Sequence, residues 1–205
     1  MSYQVAKLIA RIAENLPDMS PDVMQRWIDN PKGLQKFLSG LRPPKTEFKV
    51  FKTIKLGTGL KTPDDFRKSL EDAGMKVGDW ANDILGKPAF TVAIEEVEVD
   101  LVVVSVAELG FRKGATREQI YTRAKELGLE LCPSEVGPQL RLQYTDQPNG
   151  EWLGIAMEPI TDSDGDLRLF IAGRNVSDLW LYSNYYFNPG HIWLAAYRFV
   201  FVRRK

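Results

Sequence analysis

Three carboxylates stand on alternate residues at Asp162, Asp164 and Asp166, the spacing with which a calcium loop opens. Such a loop also needs a glycine at its sixth position, for the sharp turn, and a bidentate glutamate at its twelfth. Here those positions hold Leu167 and Gly173. With apolar stretches on both sides, Asp164-Gly165 reads as a hairpin turn, and no metal is expected. Leu56-Gly57-Thr58-Gly59-Leu60-Lys61-Thr62 has the residues of a phosphate loop out of order. Leu60 separates Gly59 from Lys61, and Thr62 is better placed to cap a following helix, so no nucleotide or other cofactor is expected. Cys132 and His191 are the only thiol and the only imidazole, so a Cys–His nucleophile pair would have to be these two. Cys132, between Leu131 and Pro133, reads as a buried inert thiol, and His191 as a residue flanking the last strand. A serine hydrolase elbow, Gly-x-Ser-x-Gly, is not present.

Glu158 is the one acid in the apolar run 152–160, on the strand face of Trp152 and Ala156, and Arg141 sits similarly in the run 140–144. Projecting from adjacent elements, they would form a binding pair or, with His191, an acid–base pocket. Structural salt bridges are the simpler reading. The densest signal is aromatic. Nine of the 22 aromatic residues lie between 180 and 201: Trp180, Tyr182, Tyr185, Tyr186, Phe187, Trp193, Tyr197, Phe199 and Phe201. Such rings form either the heaviest part of a core or a recognition surface. Alternation sets Trp180 and Tyr182 on one face of a strand. A last strand over 191–202, apolar on both faces, reads as central, with Phe199 and Phe201 in the core. Tyr185, Tyr186 and Phe187, between Asn184 and Asn188, are the part expected to meet a protein, peptide or small polar ligand.

These residues need elements to hold them. Val5, Leu8, Ile9, Ile12 and Leu16 have helical spacing, and Ser20-Pro21 and Asn30-Pro31 each open a further helix with a cap and a first-turn proline. Arg42-Pro43-Pro44-Lys45 is the linker signal. Phe48, Val50, Phe51 and Ile54 interleave with Lys49, Lys52 and Lys55, an edge strand guarded by lysines. Thr62 caps a helix that closes near Gly74, and a shorter one stops at Gly86. Residues 90–94 and 97–106 read as strands, 116–128 as a helix, and 138–144 as a short helix after Pro138. Strands follow at about 151–160, 167–173, 179–185 and 191–202. The expected fold is α+β: an N-terminal helical segment (1–41) and a mixed domain (46–205) ending in an antiparallel sheet. Segment 116–173 also mimics a winged helix, with Gln139, Arg141 and Gln143 as base readers, which makes DNA binding one alternative.

The chain has 205 residues, 44% hydrophobic and 26% charged, with 27 basic and 27 acidic side chains. No global field draws it to nucleic acid or an anionic membrane. One cysteine excludes an internal disulfide. The first twelve residues lack a secretory apolar block, and the longest apolar run, 101–104, is too short to span a bilayer; a cytoplasmic protein is expected. The stretches "DDFRKSLEDAGMKVGDWANDILGKPAF", "VDLVVVSVAELGF" and "GATREQIYTRAKELGLELCPSEVGPQLRLQY" resemble those of an uncharacterised family of small bacterial proteins, over roughly residues 45–157. The resemblance implies a shared bacterial domain and carries over no activity and no catalytic residue. A non-enzymatic binding or interaction protein is the leading expectation. An enzyme with a pocket near Glu158, Arg141 and His191 is the other alternative.

Overall fold

The structure is a computed structural model that describes residues 3–40, 47–184 and 190–204. It divides into two units, Met1–Thr46 and Glu47–Lys205. The linker signal at 42–45 lies outside the described residues.

The first unit holds α1 (Tyr3–Glu14), α2 (Pro21–Ile28) and α3 (Pro31–Gly40). Pro21 and Pro31 occupy first-turn positions, where a missing N–H is harmless and a fixed φ suits the helix. Asn30 caps α3, its Oδ1 accepting from Gly33 N at 2.9 Å. Ser20 stands at the N-cap of α2, but its side chain makes no cap bond. Trp27 and Phe37 meet at 5.5 Å between ring centroids. Leu8, Ile9, Leu16, Ile28 and Phe37 remain exposed.

The second unit runs β1 (Lys52–Leu56), α4 (Pro63–Asp72), β2 (Lys76–Val77), α5 (Asp79–Leu85), β3 (Val97–Ser105), β4 (Ala115–Thr116), α6 (Arg117–Glu126), β5 (Leu129–Glu130) and α7 (Val136–Gln143). It ends with β6 (Trp152–Ile155), β7 (Ile160–Thr161), β8 (Leu167–Arg174), β9 (Leu179–Asn184), β10 (Ile192–Trp193) and β11 (Arg198–Arg203). The main sheet has the order β1-β3-β11-β6-β8-β9-β2, with β5 added to β11 and β7 to β8. Its pairs are antiparallel except β11 with β6 and β2 with β9. This is the α+β fold read from the sequence, and β11 is central as its two apolar faces require.

Register divides the sheet into two faces. Leu153, Phe170, Ala172 and Leu181 point to the layer of α4, α5 and α7. Val102, Val104, Phe199, Gly154, Ile171, Gly173, Trp180 and Tyr182 point the other way. There α6 covers the β3–β11 half, with Tyr121 edge-on to Phe199 and Phe201 at 6.4 and 6.2 Å.

Three expectations are corrected. Residues 90–94 form no strand: Thr91 N donates to Ser134 Oγ and Ala93 N to a Glu135 oxygen, so side chains take the place of a ladder. The last strand is broken. Tyr197 N donates to Leu194 O in a turn, and the piece before it, β10, leaves the main sheet to pair with β4. Helix α7 starts two residues before Pro138, which fits because a first-turn N–H needs no helical acceptor.

Candidate functional site

The half of the sheet face that α6 leaves free carries an open cleft of about 480 Å³ lined by Trp152, Ile171, Asn175, Trp180, Tyr182 and Tyr197. Trp152, Gly173 and Trp180 stand in one row across β6, β8 and β9, and Gly154, Ile171 and Tyr182 in the next. The two glycines make room for rings. A Cβ on Gly173 would lie 2.2 Å from the Trp152 ring, and one on Gly154 would lie 3.0 Å from the Tyr197 ring. Trp152 therefore lies over β8, edge-on to Tyr182 at 5.9 Å. Tyr197 packs against Trp193 at 4.4 Å and Phe199 at 5.0 Å, which ties the cleft to the core. Trp152 and Tyr182 are nonetheless 39% and 37% exposed, large for rings in contact.

The polar groups are few. Asn175 Oδ1 accepts from the amides of Ser177 at 3.2 Å and Asp178 at 2.8 Å, an Asx turn that leaves its amide NH₂ unengaged among the described residues. The hydroxyls of Tyr182 and Tyr197 likewise have no hydrogen-bond partner among the described residues. Burial raises the Tyr197 pKa, so that phenol stays neutral and able to donate. The buried Trp180 indole N–H also lacks a partner among the described residues.

Of the expected binding residues, Trp180 and Tyr182 line this cleft. Tyr185, Tyr186 and Phe187 lie outside the described residues. His191 sits edge-on to Trp193 at 5.1 Å, at the outer end of the ring chain that passes through Tyr197. Arg141 and Glu158 are placed differently. Arg141 is fully buried under the α7 layer, donating to Gln147 Oε1, to the Gly173 carbonyl at 3.1 Å and to the Tyr144 carbonyl. Burial pushes its pKa down to about 10. Strand β6 ends at Ile155, so Glu158 is not on the face of Trp152; it is exposed beside Lys125, Leu131 and Arg204. Sequence reasoning named neither Tyr197 nor Asn175 as a site residue, and it used Trp152 only to place Glu158.

The base-reading role of α7 is also corrected. Gln139 and Arg141 are buried, and Gln139 and Gln143 bond inward to Thr58 and to the backbone of Lys55. They are not presented to base edges. The Asp162 turn is closed on itself: Oδ1 accepts from Asp164 N and Asp166 N, and Oδ2 from Arg168 Nε at 2.5 Å. Among the described residues no acidic, histidine or cysteine group is arranged to hold a metal. Thr62 caps α4 in a capping box with Asp65 and is not part of a phosphate loop. Cys132 is buried, its thiol facing the Val200 carbonyl at 3.4 Å, and burial raises its pKa. Among the described residues no helix is long and apolar enough to cross a membrane. Comparison with protein families, with curated proteins and with solved structures gives no match for this chain.

Proposed function

We propose that this is a non-enzymatic binding protein whose ligand, an uncharged peptide or small molecule, lies in the aromatic cleft. One observation carries the reading: among the described residues half of a sheet face stays uncovered while its rings, Trp152, Trp180, Tyr182 and Tyr197, converge on one concavity. Exposed apolar concavities rimmed by a few polar groups are where soluble proteins place ligands. The 185–187 aromatic group follows β9 directly in the chain. A cytoplasmic setting suits a chain whose one thiol is buried and unpaired.

The test follows the indole N–H resonances of ¹⁵N-labelled protein against neutral oligosaccharides, nucleosides and short uncharged peptides. At least one compound should move Trp152 and Trp180 together, saturably, with the other indoles still. A panel that leaves both unmoved overturns the reading.

A further inference from the structure

Resting on that reading, we infer that the cleft takes a proline-rich peptide in the extended polyproline II form. The first reason is charge. Among the described residues none that lines the cleft is charged, so a phosphate, a carboxylate or a nucleic-acid backbone would leave its charge unpaired there. The second is donor count. Asn175 has its oxygen engaged in the 175–178 turn and offers its N–H groups, and the Trp180 indole N–H, a donor only, has no partner among the described residues; the Tyr182 and Tyr197 hydroxyls can donate as well as accept. The complementary ligand is therefore rich in acceptors. A prolyl segment is that ligand, with a carbonyl at every residue and no N–H on proline. A sugar brings an O–H donor with each acceptor, and a cation attracted to the ring faces brings no acceptor.

The third reason is shape. The Trp152 ring lies over Gly173, on the strand between its own and that of Trp180, and rings ranged in this way across strands offer prolyl rings an apolar platform. The preformed helix also loses little entropy on docking against rings.

Wild-type protein is titrated with an acetylated, amidated decaproline, a Gly-Ser decapeptide and maltohexaose, read by tryptophan fluorescence and by the indole N–H resonances. Decaproline should bind saturably and shift Trp152 and Trp180, and the Gly-Ser peptide should not. Trp152→Ala should weaken decaproline at least tenfold. Tyr182→Phe, which keeps the ring and removes one donor, should weaken it about fivefold and retain the wild-type melting midpoint. If Trp152→Ala unfolds, Tyr182→Phe alone decides the matter. Maltohexaose moving the two indoles while decaproline does not overturns the peptide and keeps the cleft as a site. Indole shifts that follow protein concentration without ligand assign the face to a second copy of the chain and overturn the peptide too. Decaproline binding unchanged in both variants overturns the placement.

Discussion

Arg141 is a cation sealed in a core with oxygen atoms, and no carboxylate, among its hydrogen-bond partners. Its burial is tolerable because a guanidinium carries five donors in a fixed fork and can meet several acceptors at once. Gln147 is bound into the same knot, its Nε2 donating to the carbonyls of Glu151 and Ala172. Arg141→Met keeps the volume and removes the donors, leaving Gln147 Oε1 and the Tyr144 carbonyl without this donor in a dry site. We expect a loss of roughly 2–4 kcal/mol in urea unfolding. Glu158→Ala, at the exposed residue once paired with Arg141 on paper, should stay within about 0.5 kcal/mol. Equal effects would refute this assignment. That Arg141 is singular was visible in its apolar run. Its partners were not, because they are backbone carbonyls and a glutamine that the chain supplies only once folded.

Glu135, at the N-cap of α7, and Gln139 and Gln143 within it stand at a spacing of four, one stripe along the helix. A polar stripe of this kind normally faces water, and the DNA-binding reading took two of its members, Gln139 and Gln143, together with Arg141. Here it faces the open edge of β1. Glu135 accepts from Gly57 N at 2.8 Å, Gln139 donates to Thr58 Oγ1 at 2.7 Å, and Gln143 both accepts from and donates to the Lys55 backbone at 2.9 and 2.8 Å. The stripe also links to itself, each glutamine donating to the residue one turn earlier at 3.0 Å. The helix thus does for β1 what a neighbouring strand would do, which closes an edge otherwise open to pairing with other chains. Gln143→Ala should cost about 1 kcal/mol and speed exchange of the Lys55 amide more than that of its strand neighbours. Exchange unchanged at Lys55 would show the edge to be guarded by its lysines alone. The spacing was in the sequence, and the identity of the surface it meets was not.

Across the whole molecule, the helices were legible because prolines and caps mark their starts, and the α+β class because helices precede strands. Sheet order was not legible. β11, last in the chain, lies between β3 and β6, and a two-residue strand, β2, ends the path. The cleft depends on that order, since Trp152 and Trp180 meet only through a glycine on a third strand. Several tight turns and caps in this assembly are held by ionised carboxylates, which sets its response to acid. Burial alone would raise the Asp162 pKa, but the Arg168 bond and the amides of Asp166 and Asp164 outweigh it, and the net shift is downward. Asp83 is lowered by the Ser163 hydroxyl that ties this turn to α5, and Asp65 by the amides of Lys61 and Thr62 at the α4 cap. A folded pKa below the unfolded value of about 3.9 means the stabilisation is complete above that pH and is lost as pH falls through the folded value. The urea midpoint should therefore hold steady from pH 7 to about 5 and drop below about 4. Asp162→Asn, which leaves Arg168 without its closest anion, should be less stable at pH 7 and show a shallower fall, the two curves converging by about pH 2. A variant as stable as wild type at pH 7, or one whose curve runs parallel to it down to pH 2, would place the acid sensitivity elsewhere than in this turn.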